Sequence, residues 1–235
     1  MSSGIGQHEN DKRWMRAALA EARKAEGRTG TNPPVGCVLI SPDNKLIAAG
    51  HTKPNGRPHA EAVALAEAGS AGLAHRIVGG TAYVTLEPCA HHGKTPPCAE
   101  ALRDAGIARL VYALNDPDER VNGKGIACLR AASVEIASEF MTESALDITS
   151  GFIYNKLKNR PFFTSKIATS EDGFIAKAAG EQYWLTGDVS RRFVHDLRSR
   201  VDAVLTGSGT VLADNPQMTC RVPGIGHQPH RIILD

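Results

Sequence analysis

The chain has 235 residues, room for one large domain or two small ones. Lysine and arginine total 27 and aspartate and glutamate 25, and the formal net charge of +2 leaves no broad electrostatic footprint for nucleic acid or a membrane surface. No apolar run approaches a membrane span, the start Met-Ser-Ser-Gly-Ile-Gly-Gln-His is no secretory signal, and five cysteines, an odd number, argue against a disulfide framework. A reducing, cytoplasmic compartment is the expectation.

Residues 1–9 read as a loose tail. Asn10 is placed to cap a helix from Asp11 to about Glu26, on which Trp14, Ala18, Ala22 and Ala25 recur at helical spacing and face a core. Gly27 to Pro34 is a loop. Asn32 within it is either a turn residue or, since its amide offers both a donor and an acceptor, a reader of a heterocycle edge. Val35 to Ile40 is a strand, with Cys37 as packing, and Lys45 to Gly50 returns as a second strand after a turn. A loop from His51 to Pro58 leads into a helix from about His59 to Ala68. Thr81 to Leu86 is a buried strand that delivers Pro88-Cys89 at its C-terminal end, where open α/β sheets keep their sites. Pro97 sits where a proline opens a helix, and the dipole there favours thiolate at Cys98. Arg109 to Leu114 is a strand, Asn115 to Gly125 a turn-rich loop, Ile126 to Ala132 a helix and Val134 to Ile136 a last strand. This succession predicts a three-layer α/β/α sandwich with a mixed sheet. A helix from Thr142 to Lys158, stopped by Asn159-Arg160-Pro161, marks the boundary. The division is thus a domain over 10–147, a connecting helix over 148–160 and a second segment over 161–235.

Two stretches carry chemistry: Pro58-His59-Ala60-Glu61, and Thr85 to Cys98 with its Pro88-Cys89. They offer one histidine and two cysteines, which fill three corners of a tetrahedron around Zn²⁺ and leave the fourth for water. Zinc brings the pKa of such a water to about 7. A carboxylate that is not a ligand can then take its proton and pass it to a leaving amine. His-x-Glu followed by Pro-Cys-x-x-Cys is the pattern of the zinc nucleobase deaminases, although here the second cysteine comes later, after Ala90 to Pro97. Singly, such a histidine is more often a cap and such a cysteine a buried hydrophobe. Jointly they predict a catalytic site with His59, Cys89 and Cys98 on the metal and Glu61 as proton carrier.

With these residues placed, the chain from about residue 10 to 235 resembles the bifunctional deaminase–reductases of riboflavin biosynthesis. Glu-Pro-Cys-Ala-His-His-Gly-Lys-Thr-Pro-Pro-Cys is similar to that family's own second zinc motif, whereas cytidine, deoxycytidylate and transfer-RNA adenosine deaminases generally have a shorter insert. The resemblance implies a cytidine-deaminase-like domain followed by an incomplete dihydrofolate-reductase-like α/β domain. It implies zinc-dependent deamination of 2,5-diamino-6-ribosylamino-4(3H)-pyrimidinone 5′-phosphate to 5-amino-6-(5-phosphoribosylamino)uracil, then NADPH-dependent reduction of the ribosyl group to ribityl. It also implies substrate contacts from Asn32, His51, His91 and Lys94, with Lys94 the local cation a phosphate needs. Thr31 departs from the family's usual Pro-Asn-Pro-x-Val-Gly.

In the second segment, Phe163 to Ala168 and Ser170 to Gly173 resemble the reductase's opening strand and turn. Lys166, Ala168, Gln182, Trp184, Arg198, Thr210, Asp214, Met218 and Arg221 fall on matched substrate or cofactor positions. Arg198 and Arg221 suit a phosphate, since guanidinium binds it in a bidentate fork; read alone, each is a surface arginine. The chain stops in what reads as a strand, Arg231 to Asp235, and residues 162–235 hold no glycine-rich cofactor loop, so the expectation is a truncated form without competent reduction. The expected partner is a small-molecule pyrimidine nucleotide, without nucleic acid or membrane, in a possible homo-oligomer. Two other readings stay open. One is a deaminase of this fold acting on deoxycytidylate or guanine, against which the long insert and second segment argue. The other is a non-enzymatic zinc-bound interaction protein, against which Glu61 argues.

Overall fold

The structure, a computed structural model, describes residues 2–90, 96–119, 121–175 and 183–235. They form two compact units, 1–162 and 163–235.

The first unit is built on a five-stranded mixed sheet of β1 (Gly36–Ile40), β2 (Leu46–His51), β3 (Thr81–Val84), β4 (Arg109–Tyr112) and β5 (Glu135–Ala137), in the order β2-β1-β3-β4-β5. β1 is antiparallel to both its neighbours, and β3, β4 and β5 run parallel. All five residues of β1 are buried, as a central strand covered on both faces requires. Helices cover the two faces: α1 (Ser2–Arg23), α2 (Ala60–Ser70), α3 (Cys98–Asp104), α4 (Lys124–Ala131) and α5 (Thr142–Lys158). Two glycines allow the closest approaches. A Cβ on Gly36 would lie 1.9 Å from the Ala18 carbonyl oxygen of α1, and one on Gly50 would lie 2.6 Å from the Ala60 carbonyl oxygen of α2. Gly50 pairs with Cys37, the neighbour of Gly36 in β1, so the two helices sit on opposite faces, because side chains alternate along a strand. The predicted sandwich is therefore what forms.

Trp14, Ala18, Ala22 and Ala25 are buried, as their spacing predicts. The start of α1 differs from the expectation: residues read as a loose tail are its first turns. Asn10 reads as a cap and Asp11 as the first helical residue, but tertiary partners engage both side chains. The Asn10 side chain accepts a bond from Asn44 Nδ2 at 3.1 Å. The buried Asp11 carboxylate accepts bonds from Gln7 Nε2 (3.0 Å), Tyr83 Oη (2.7 Å) and both Arg109 terminal nitrogens (2.7 and 2.9 Å). Polar groups engaged in this way leave the helix free to run through them.

Burial alone would raise the Asp11 pKa, but the bonds from Arg109, Tyr83 and Gln7 outweigh it and hold the carboxyl below its ordinary range. The Asp11 side chain is 7% exposed and that of Arg109 15%, so losing one partner strands a buried charge. Asp11→Asn should cost about 3 kcal/mol in urea unfolding at pH 7. Because the folded value is depressed, the contribution is complete above the unfolded carboxylate value of about 3.9 and fades as pH falls through the lower folded value. The gap between wild type and variant should therefore narrow below about pH 4; equal stabilities at pH 7 would show that this network carries nothing.

The second unit holds α6 (Asp188–Ser199), β6 (Ala203–Gly207), α7 (Ser208–Asp214) and β7 (His230–Leu234), with β6 and β7 paired in parallel. The expected final strand is β7. The expected opening strand over Phe163 to Ala168 is absent: these residues carry no ladder bonds, and Phe163 and Ile167 stand exposed. An apolar β-like run needs a pairing partner to become a strand, and among the described residues β6 and β7 pair with each other alone. The following turn does form, closed by the Gly173 amide on the Ser170 carbonyl oxygen at 3.0 Å.

Candidate active site

Three chain segments meet at the ends of β3 and α2. His59 is the N-cap of α2, in extended conformation (φ −68°, ψ 161°), so its ring stands clear of the helix while Glu61 occupies the first turn. Cys89 follows β3. Cys98 is the first residue of α3, behind Pro97, and its amide donates to Cys89 Sγ at 3.3 Å. A second tie, from the Ala99 amide to the Cys89 carbonyl oxygen at 3.1 Å, locks the α3 start to the loop that follows β3. Gly125, at the start of α4, lets that helix press on the same loop: a Cβ there would lie 2.0 Å from the Pro88 carbonyl oxygen.

The donor atoms of His59, Cys89 and Cys98 all lie within 4.8 Å of one another. Cys89 Sγ is 3.6 Å and Cys98 Sγ 3.4 Å from His59 Nδ1. A tetrahedral zinc with ordinary Zn–S and Zn–N bonds needs these edges to be about 3.6 Å. The residues therefore fit zinc in number, type and spacing. The local fields agree. A hydrogen bond from Cys98 lowers the Cys89 pKa to about 4 in spite of burial, helped by His59 and the Cys98 amide. Cys98, facing that thiolate and buried, is pushed up, and a bound cation would draw its proton off as well. The bond to Cys89 raises His59. Glu61 is 4% exposed and is pushed up to about 7, by burial first and then by the Cys89 charge.

A cavity of about 240 Å³ opens on these groups and is lined by His59, Glu61 and Cys89 together with Asn32. The Asn32 turn is closed by Thr29 Oγ1 on its carbonyl oxygen at 2.6 Å. Gly56, with φ +81°, leaves the room its side chain fills: a Cβ there would lie 2.1 Å from Asn32 Nδ2. His51 is not on the lining; its Nδ1 lies 3.0 Å from Glu21 Oε2. His91, Lys94 and Gln182 lie outside the described residues.

Further lining residues carry no sequence motif. Glu87, 3% exposed, accepts amide bonds from Gly123 at 2.8 Å and Asp116 at 3.4 Å and so ties the Cys89 strand to the 115–123 loop. Burial pushes Glu87 and Asp116 above the usual carboxylate range. Asp118, from that loop, meets Lys156 Nζ at 3.0 Å, and Phe152 precedes Lys156 by one turn of α5. Glu87 stands two residues before Cys89 and was the one legible signal; nothing local marks the Asp118–Lys156 pair, whose members are 38 residues apart.

In the second unit, two predicted residues come together. Arg221 Nε donates to His195 Nε2 at 3.2 Å, and Arg198 donates to the Thr219 carbonyl oxygen at 3.1 Å. Burial, then the Arg221 charge, hold Arg198 below its ordinary value. Met218 is buried beside them in sequence, with φ 52°. Trp184 is exposed, with the Arg191 guanidinium 5.0 Å over its ring. Lys166, Thr210 and Asp214 are exposed and Ala168 is half-buried.

Residues 8–114 match the cytidine and deoxycytidylate deaminase zinc-binding region, and residues 161–235 match the RibD C-terminal domain. The riboflavin biosynthesis protein RibD of Aquifex aeolicus is 40% identical over 227 residues, 97% of this chain and 62% of its own length. A crystal structure of a diaminohydroxyphosphoribosylaminopyrimidine deaminase/5-amino-6-(5-phosphoribosylamino)uracil reductase from Thermotoga maritima superposes with a TM-score of 0.90. It is 40% identical, over 97% of this chain and 64% of that one. RibD of Acinetobacter baumannii gives 0.84 at 40% identity, over the same shares. The chain thus spans a little under two thirds of the length of these relatives. Over that span, with a deaminase-type zinc-binding region ahead of a RibD C-terminal domain, it is similar to the RibD riboflavin biosynthesis proteins.

Proposed function

We propose that this chain hydrolytically deaminates 2,5-diamino-6-ribosylamino-4(3H)-pyrimidinone 5′-phosphate to 5-amino-6-(5-phosphoribosylamino)uracil. One observation carries the reading: a buried carboxylate that is not one of the three donors, Glu61, lines the same cavity as His59 and Cys89. His59, Cys89 and Cys98 are assigned to hold zinc, which when bound supplies a water acidified to about neutral pH. Glu61 takes the proton of that water and returns it to the departing amine. Water adds to the amine-bearing ring carbon, the C–N bond breaks and ammonia leaves. Asn32 presents its amide to the edge of the heterocycle. His51, held by Glu21, and His91 and Lys94 of the insert are assigned to substrate.

For the second unit we propose the opening part of the family's NADPH-dependent reductase, not competent by itself to reduce ribosyl to ribityl. Arg198 and Arg221 are assigned to a phosphate, and Lys166, Ala168, Gln182, Trp184, Thr210, Asp214 and Met218 to substrate or cofactor. None of the described helices is long and apolar enough to cross a membrane. A cytoplasmic homo-oligomer acting on a free nucleotide fits this reading.

The test is ammonia release by the purified chain from the diaminopyrimidine ribonucleotide, beside deoxycytidylate and guanine. Release from the first alone is expected. Turnover of deoxycytidylate or guanine instead would keep the chemistry and discard the substrate.

A further inference from the structure

We infer that Lys156 meets the 5′-phosphate of the nucleotide and that Asp118, its partner, sets how strongly it does so. The inference rests on the substrate reading above and names the residues that select its phosphate.

The shared deaminase region ends at residue 114, yet Asp116, Asp118, Phe152 and Lys156 complete the cavity. Discrimination among substrates of a common zinc chemistry has to come from walls of this kind, outside the common part. The cavity is otherwise acidic: Glu61, Glu87, Asp116 and Asp118 all line it, against two cations among the described lining residues, Arg57 and Lys156. A phosphate dianion is tolerated there only beside a cation that donates to it.

The two cations stand at different ends. Arg57 is two residues before His59 in the chain, on the segment that carries the donor. A run of hydrogen bonds leads from the sulfur end to the lysine: Glu87, two residues before Cys89, accepts the Asp116 amide at 3.4 Å, Asp116 Oδ1 accepts the Asp118 amide at 2.8 Å, and Asp118 Oδ2 meets Lys156 Nζ at 3.0 Å. A nucleotide with its reacting carbon at His59 and Cys89 extends its ribose and phosphate past Asp116 toward Lys156. Phe152, one turn earlier on α5, supports the ammonium with its ring 5.7 Å from Nζ. Asp118 Oδ2, at 3.0 Å, takes one of the three donors of an ammonium. The Lys156 side chain is 32% exposed and that of Asp118 12%, so the lysine keeps an open side while its partner is the buried anchor.

The pair predicts opposite effects for its two members. With kcat/KM measured on the nucleotide and on its 5′-dephosphorylated nucleoside, Lys156→Met should reduce the nucleotide preference roughly tenfold or more, through KM. Asp118→Asn, which releases the ammonium to the phosphate, should raise that preference. A strut that merely holds the loop to α5 would make both variants lose on both substrates alike, and that result would overturn the inference. Wild-type turnover with an unchanged preference in Lys156→Met would also overturn it while leaving the proposed activity intact. Should the wild type deaminate neither compound, the activity is wrong. Calorimetric titration with ribose 5-phosphate then decides the cation's role on its own: binding lost in Lys156→Met supports it, and equal binding ends it.

Discussion

Cys98→Ala is expected to lose zinc and ammonia release together. Cys98 is one of only three protein donors, and two donors plus water make a poor site for an ion that is normally held by three at a catalytic centre. Loss of a group outside the coordination shell already costs about 10–100-fold in affinity or activity, so loss of a ligand should take turnover below detection. The substitution is mild in every other respect. Cys98 is buried at the first position of α3, alanine favours a helix, and the amide that donates to Cys89 Sγ at 3.3 Å belongs to the backbone and survives. Urea unfolding of the metal-free proteins should therefore differ little, which separates loss of the ion from loss of the fold. Elemental analysis is the direct reading: one zinc per chain retained in the variant would remove Cys98 from the ligand set.

What the sequence made legible is what short-range pattern encodes. β1 is apolar because both its faces are covered, and a run of five buried residues says so without help from the rest of the chain. His59 and Glu61 are two apart at a helix start, Cys98 opens another helix and Cys89 follows β3 by a short loop, so local spacing already puts the donors near element ends. The misses have long-range causes. Asp11 reads as a helix opener until Arg109, 98 residues away, is seen to bind it. Phe163 to Ala168 has the composition of a strand, yet a strand is defined by a partner, which no local signal supplies. Asp116, Asp118 and Lys156 sit in a turn-rich loop and on the flank of a helix, and only the fold turns them toward the cavity.

Glu61→Gln should behave in the opposite way to Cys98→Ala on one axis and alike on the other. Zinc should stay, since Glu61 is not among the three donors, and turnover should fall by about 10²–10⁴-fold, the usual worth of a positioned proton carrier. Glutamine keeps the volume and the hydrogen-bonding reach of the side chain, which is 4% exposed and sits in the first turn of α2, so the cavity should keep its shape and KM should move little. What glutamine cannot do is accept a proton from water and give it back to an amine. A fall in kcat with zinc and KM retained would place Glu61 in the chemical step, because an interaction used only there affects kcat and kcat/KM equally. A variant that keeps its zinc and more than about a tenth of its turnover would move the proton carrier elsewhere on the lining. Glu87 is a weak substitute, because its carboxylate already holds the Gly123 and Asp116 amides. Asp116, buried and raised above the usual carboxylate range, would then be the residue to change next.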